Sequence, residues 1–496
     1  LELWPTLKSG LLFLFKLGKL KDMTYIKALN KLEMSKKIVI VGAGVAGVNA
    51  ATKLVDNGYD GSLITIIDMG KDPYKRLPEE VMTGFLGAGG WSDGKLTYHT
   101  AIGGQLSKYC GEEKAMELMD QVITNFKRFH PKPEEVQCSN PDTEPEFIKP
   151  YFGLRLFPVW HVGTDYLSEI AKNWYDYLVS KGVQFHWETK VTSINFRHNE
   201  VVMHSIKPEF ATMDNDGIFY DELIFAVGKS GIDFAQQLAN QYELPDEPKS
   251  VQIGVRFEAP QEHFQKLIDI SYDFKLYRKF DDKGVSLRSF CTNNNAAYVA
   301  VEETYGDHSY NGHAKKDPKY LNGMTNFGIL MEINGIEDPF TWSRDVVNKI
   351  QSNGTGLYYS PSRQPSTTSE GKDVSATQIS WLQLLGVMEA FDGFFEYIVD
   401  FIDDMKKVFP TLGDDWGIYI PEVKYLSPEV KVDYSNLALT DYPNVHFVGD
   451  ALSARGITVS GAQAIYVAEA FLNTFGKATN LPYVCEWDNI HGDIFN

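Results

Sequence analysis

Three glycines, Gly42, Gly44 and Gly47, stand in a G-x-G-x-x-G spacing, and an acid, Asp68, follows 21 residues after the last of them. Residues of these types at these intervals can hold the pyrophosphate of a dinucleotide. The first glycine allows a tight turn, the second lets backbone approach phosphate with no Cβ in the way, and the third lets a helix pack close to a strand. Ala43, Val45 and Ala46 complete that turn, and Asp68 is placed to accept hydrogen bonds from a ribose hydroxyl. A second set lies near the other end of the chain, where Gly449-Asp450 is followed by Arg455-Gly456-Ile457-Thr458.

The surrounding pattern supplies the elements these residues need. Ile38 to Val41 is a continuous β-branched run, as expected of a parallel strand buried on both faces. A helix is predicted through Ala50, Ala51, Leu54 and Val55, ended by Gly58, and a second strand runs from Leu63 to Ile67. The helix N-terminus offers unpaired N–H groups and a positive dipole end to phosphate. Strand, glycines, helix, second strand and terminal acid fall in register, although this unit alone does not separate FAD from NAD.

Further along, His161-Val162-Gly163-Thr164-Asp165 precedes a helical pattern at Leu167, Ile170, Ala171, Trp174 and Leu178, with Thr164 or Asp165 as its N-cap and Gly182 as its terminator. Val183 to Ile206 reads as a meander carrying Val191 and Thr192, and Asp221 to Gly228 as an apolar strand ending in Ala226-Val227-Gly228. Asn444 to Val448 is another buried strand, and a helix is expected from about Ser460 to Phe475.

These segments resemble the glutathione-reductase-like flavoproteins. Within them, Gly87-Ala88-Gly89-Gly90-Trp91-Ser92-Asp93-Gly94-Lys95-Leu96-Thr97 is similar to the GGAG-x-x-SDGKLT loop of a family of FAD-dependent dehydrogenases. His161 to Asp165, Ile253-Gly254-Val255-Arg256 and Ser289-Phe290-Cys291 match further short segments of that family. The resemblance implies non-covalent FAD, with Asp450 on a ribityl hydroxyl and the following helix aimed at the N1–O2 edge of the flavin. It also implies a cap domain over the isoalloxazine ring. The chain departs from the family at Thr292-Asn293-Asn294-Asn295 and at Ala451 to Thr458.

The expected fold class is α/β: a Rossmann-like FAD-binding domain, parallel sheet plus β-meander, with an inserted α+β substrate domain. The expected division is an N-terminal extension over 1–34, FAD-binding residues 35–248 and 412–496, and a substrate or cap domain over 249–411. In that cap, strands are expected at Gln252 to Phe257, Ala297 to Glu302 and Gly328 to Ile333, a helical part at Ala376 to Phe409, and an exposed lid-like loop at Ser360 to Lys372. Ser92, Asp93 and Lys95 are candidates for contact with cofactor or substrate, or for closing a turn. Arg256 is a candidate for an anionic substrate or a structural ion pair, and Arg455 for a pyrophosphate or substrate charge. His308 and His313 are read as lying in a loop.

Composition narrows the partners. The chain has 496 residues and a net charge of −19, with no Lys/Arg run, which argues against nucleic acid. Four scattered cysteines suggest neither a disulfide framework nor a metal site, and fit a reducing, cytoplasmic setting. The apolar run Leu11 to Phe15 is far shorter than the roughly 20 residues that cross a bilayer. Residues 1–34 therefore read either as an amphipathic surface anchor, the one place for membrane contact, or as an extension upstream of Met23 or Met34.

The functional expectation is an FAD-dependent dehydrogenase or reductase that passes hydride between flavin N5 and a small organic substrate. NAD(P)H stays open as a transient reductant. The alternatives are a monooxygenase using NAD(P)H and oxygen, and a non-catalytic flavin-binding protein. No catalytic residue stands out.

Overall fold

The β-branched run Ile38–Val41, buried at every position, lies in the middle of a six-stranded sheet. From one edge the order is Ala438–Leu439, Tyr442–Phe447, Glu222–Phe225, Ile38–Val41, Ile64–Ile67 and Gln184–His186. The last five are mutually parallel, and only the edge strand Ala438–Leu439 runs antiparallel. Numbered along the chain, the parallel strands stand 3-2-1-4-5, the order of a doubly wound sheet. The structure, a computed structural model, describes residues 35–477 apart from 78–79, 140–144, 208–215, 248–249, 281–283, 305, 352–354 and 426–428. The anchor reading of residues 1–34, and Cys485, lie outside the described residues.

The helix Val45–Asp56 follows the first strand, and its Ala50, Ala51 and Leu54 are fully buried. It packs against Ile457–Lys477, which in turn packs on Glu112–Phe129. Helices from the start and the end of the chain are thus neighbours, and each buried Leu or Val between them contributes roughly 1.5–3 kcal/mol. The predicted meander is corrected at its start. Gln184–His186 completes the parallel sheet, while Thr189–Asn195, Glu200–Ser205 and Asp216–Phe219 form the antiparallel unit.

A second, eight-stranded sheet draws on more of the chain than residues 249–411. Gly153–Leu156 forms one edge, and Gly417–Lys424 pairs with Val251–Pro260 near the other. These additions cover backbone groups that would otherwise be open along Phe274–Phe280 and Val251–Pro260. Alternation decides the two faces. Val251, Ile253, Val255, Phe257 and Ala259 point into an apolar core with the helices Pro339–Ile350, Trp381–Ala390 and Glu396–Val408. The other face carries Gln252, Arg256, Lys275, Arg288, Phe290 and Lys424, and turns toward the first domain.

Two other expectations change, and a third holds. The helical part at 376–409 is a short strand, Ala376–Gln378, and two helices, separated where Asp392 and Gly393 take positive φ. His308 and His313 lie on the strand Asp307–Ala314, paired with Ala297–Thr304, not in a loop. The stretch 360–372 is an exposed loop as expected, held at points: Ser366 donates to Glu258 at 3.0 Å, and Arg363 pairs with Asp415 at 2.7 Å. Among the described residues, no helix is long and apolar enough to cross a membrane.

Candidate functional site

A cavity of about 1050 Å³ runs from the glycine turn to the polar face of the eight-stranded sheet. This is at the upper end of the ~300–1,000 Å³ range of small-molecule sites. Five separate sequence segments with predicted site residues reach it. They are the glycine turn with Asp68, the Ser92–Lys95 loop, Val191-Thr192, Ala226–Gly228, and Gly449 to Thr458.

The three glycines of the turn do different jobs. A Cβ on Gly42, whose φ is +108°, would stand 2.2 Å from the Ala226 carbonyl oxygen. One on Gly47 would stand 2.1 Å from the Gly42 oxygen, so this glycine seats the helix on the strand. A Cβ on Gly44 would meet nothing within 4 Å, because that position opens onto the cavity. Gly44 is also the N-cap of Val45–Asp56, and no side chain caps the helix; the first intrahelical bond is Val48 N–H to the Gly44 oxygen at 3.0 Å. Val45 and Ala46 line the cavity at this positive helix end. Ala43 and Gly47 stand behind it.

The Asp68 carboxylate is largely engaged by backbone amides. Its Oδ2 accepts from the Ala43 N–H at 2.8 Å, and its Oδ1 from the Gly70 and Gly84 N–H groups at 2.7 and 2.8 Å. A carboxylate has about four lone-pair sites, so roughly one is left for a hydroxyl in the cavity. Sequence reasoning missed Arg76, the organiser of the neighbouring loop. Its guanidinium donates to the carbonyls of Glu80, Val81, Phe85 and Gly87 at 2.8–2.9 Å. Burial brings its pKa down to about 10. That loop leads straight to Gly87–Trp91, a 3₁₀ turn against the cavity.

Ser92, Asp93 and Lys95 both close a turn and line the cavity. Ser92 Oγ accepts from Gly94 N–H at 3.1 Å, and Asp93 Oδ1 from Lys95 N–H at 3.1 Å. The Lys95 ammonium, almost wholly buried, pairs with Asp93 at 2.9 Å and donates to the Thr292 carbonyl. Asp273 lies 3.7 Å from it and is paired with Lys275. Burial disfavours the Asp273 charge, yet Lys275 and Lys95 outweigh it and hold the carboxyl near 2. Lys95 therefore clamps the loop to the second domain.

The predicted N-cap at 164–165 is corrected. The Leu167–Ser180 helix has no side-chain cap, because a 3₁₀ turn over Thr164–Tyr166 precedes it. Asp165 instead accepts from the Lys316 and Asp317 N–H groups at 3.1 and 3.0 Å, and Thr164 donates to the Ser92 carbonyl at 2.8 Å. His161 is half-buried beside Tyr272, and desolvation together with Lys316 lowers its pKa to about 3.

At the far end of the chain, Gly449 takes a φ of +68°, and its N–H donates to Gln463 Oε1 at 2.9 Å. Arg455 Nε lies 3.4 Å from Asp450 Oδ1, so this guanidinium is engaged with a carboxylate of its own segment. Burial raises the Asp450 pKa, and Arg455 and Lys229 oppose the rise. The Thr458 hydroxyl, in the first turn of the late helix, is buried with no hydrogen-bond partner among the described residues. The two helix N-termini are adjacent: a Cβ placed on Gly89 would lie 2.3 Å from a Val45 methyl and 3.6 Å from an Ile457 carbon. The doublet Gly103-Gly104, which sequence reasoning also missed, seals this corner. The Arg455 N–H donates to the Gly103 carbonyl at 2.5 Å, and a side chain on Gly103 would strike the Arg455 carbonyl.

Arg256 does not reach the cavity. It is fully buried and paired with Glu422 Oε2 at 3.3 Å. It also donates to Asn326 Oδ1 and the Cys291 carbonyl, at 2.7 and 2.8 Å from Nη2. Four hydrogen bonds absorb its donors, which leaves the structural ion pair as its role. Lys275, Arg288, Phe290, Cys291 and Lys424 line the cavity instead. Their signal in the sequence is the period-two alternation of FKLYRKF and VSLRSF, which separates an apolar face from a charged one. Among the described residues, no group of three or more His, Cys, Asp or Glu could hold a metal ion.

No family model matches the chain, and no curated protein matches it. Among solved structures it is similar to a flavoprotein/dehydrogenase from Cytophaga hutchinsonii, at 12% identity over 89% of this chain and 79% of that one, with a TM-score of 0.38. It is similar to the halogenase PltM in complex with phloroglucinol and FAD, at 11% identity over 90% and 69%, TM-score 0.37. It is also similar to a formate oxidase from Aspergillus oryzae, at 11% identity over 89% and 99%, TM-score 0.40. Likeness this distant does not fix an activity.

Proposed function

We propose that the chain is an FAD-dependent oxidoreductase that binds its dinucleotide between the early glycine turn and the late Gly449–Thr458 segment. The observation that carries this reading is the meeting of two helix N-termini, at Val45 and Ile457, in one elongated cavity. A mononucleotide or a single pyrophosphate would use only one of them.

The residues fit the group. Gly44 leaves room for phosphate to approach backbone, and the open end of Val45–Asp56 favours its charge. Asp68 keeps an acceptor site for a ribose hydroxyl, and Asp450 is placed to accept from a sugar hydroxyl. The buried Thr458 hydroxyl has a bond still to make. When bound, FAD would supply hydride transfer at N5. The N–H groups at the start of the late helix would stabilise negative charge that reduction develops nearby. The Ser92–Lys95 loop, clamped through Lys95, would keep water out from the side of the second domain.

Freshly purified full-length chain is expected to be yellow, with both flavin absorption bands, and to release FAD on heat denaturation, identified by chromatography. A colourless protein that takes up no FAD when supplied sinks the proposal. Anaerobic bleaching of those bands by NAD(P)H, compared with bleaching by organic donors alone, then identifies the source of the electrons.

A further inference from the structure

We propose that Arg288 and Lys424, flanking the Phe290 ring on the polar face of the eight-stranded sheet, bind the carboxylate of an organic-acid substrate. The word substrate rests on the oxidoreductase reading; the anion site itself does not.

Three cations converge on this ring. Lys275 Nζ lies 5.2 Å and Arg288 Cζ 5.5 Å from the ring centre, and Lys424 Nζ stands over the same ring. Two cations of this face are already neutralised: Lys275 by Asp273, at 2.8 and 2.7 Å, and Arg256 by Glu422, at 3.3 Å. Arg288 and Lys424 are not. Arg288 donates to Gln252 Oε1 at 3.3 Å, a neutral amide, and Gln252 pairs in register with Lys424 on the next strand. Among the described residues, neither cation forms an ion pair.

All of these groups except Arg256 line the cavity, on the wall formed by the eight-stranded sheet. Two basic groups held near one another and partly removed from water, with no carboxylate in ion-pair contact, are costly to charge unless an anion joins them. The charge balance selects the anion. Glu332 lines the same wall and accepts from Ser250 Oγ at 3.2 Å without pairing with Arg288. Glu332 still attracts the Arg288 guanidinium. Burial holds the Lys424 ammonium well below its usual range, with Arg288 and Arg455 adding to the shift and Cys291 and Glu422 opposing it, so an arriving monoanion would favour its charged form. The Phe290 ring between the cations supplies an apolar surface for the rest of the molecule.

The test is calorimetric titration of full-length protein with sodium benzoate in low-salt buffer, with inorganic phosphate as the second arm. One-to-one benzoate binding is expected, weakened about tenfold or more in Arg288→Gln and in Lys424→Gln, and partly regained in Lys424→Arg. No benzoate binding, equal binding by folded variants, or tighter binding of phosphate overturns the proposal. Should the glutamine variants fail to fold, wild-type protein decides. Benzoate is expected to protect Lys424 from acetic anhydride, read by peptide mass spectrometry, and unchanged labelling overturns the site. Flavin bands are recorded on the same samples. A yellow protein indifferent to benzoate removes this inference alone, whereas a colourless one that binds benzoate through these two residues removes the flavin reading alone.

Discussion

The Arg256 guanidinium donates from Nη2 to the Cys291 carbonyl oxygen at 2.8 Å and so fixes a kink in the strand Val285–Asn293, across the intervening strand Met324–Ile333. Cys291 has a φ of +48°, unusual for a residue with a side chain, and strand register shifts between Phe290 and Asn293. The buried arginine thus shapes the wall of the cavity without touching it.

Replacing Arg256 with Leu removes this clamp and leaves Glu422 buried without its cation. The expected loss is about 3–5 kcal/mol of stability, measured by urea unfolding. A loss below about 1 kcal/mol would show that the pair does not organise the wall.

The three glycines of the turn should separate cleanly. Gly42→Ala and Gly47→Ala place a Cβ 2.2 and 2.1 Å from carbonyl oxygens and should each cost about 2–4 kcal/mol. Gly44→Ala meets no atom within 4 Å and should cost no more than about 1 kcal/mol. It should instead weaken uptake of FAD, followed by flavin fluorescence on titration of apoprotein. Wild-type affinity in Gly44→Ala would contradict a phosphate seat at that glycine.

Glu258 provides a pH dependence of opposite sign to an ordinary paired carboxylate. Burial pushes its carboxyl up to about 7, although Ser366, Arg363 and Tyr419 work against the rise. The folded state therefore holds a proton that the unfolded state releases near pH 4.5. Its contribution is fully present below that pH and declines as pH rises toward 7, by about 3 kcal/mol in all. Subtracting the unfolding profile of Glu258→Gln from that of wild type between pH 4.5 and 7.5 isolates it. A flat difference would rule it out.

Arg76 is expected to be a positioning residue for the loop that reaches Gly87. Arg76→Met leaves four backbone carbonyls without their shared donor and should cost about 2–4 kcal/mol. Amide exchange across residues 80–91 should speed up, and FAD should dissociate faster. Arg76→Lys, which keeps the charge but not the fork, should restore little of either. Full rescue by lysine would show that charge, rather than the carbonyl bonds, is what matters.

Several features were legible in the order of residues because their causes are local. The run Ile38–Val41, the spacing Gly42-Gly44-Gly47 and the helix after it each follow from neighbours within one or two turns. Gly58 and Gly182, with φ of +84° and +89°, follow helices where expected. Local reasoning failed where a side chain had a choice of distant partners. Asp165 could have capped the next helix but turned to the amides of Lys316 and Asp317. Asp68, expected to face a ribose, also gathers amides from three places along the chain.

What the sequence determined by itself is the glycine turn and the strand-and-helix unit around it, since sterics and periodicity act over a few residues. Only the tertiary structure decided that the helix after Gly456 begins beside the helix after Gly44, and that Arg256 is locked to Glu422. It also decided which face of the eight-stranded sheet brings Arg288 and Lys424 to the cavity. Alternation separates two faces of each strand, but which face meets the apolar helices and which meets the cavity depends on pairing among segments hundreds of residues apart.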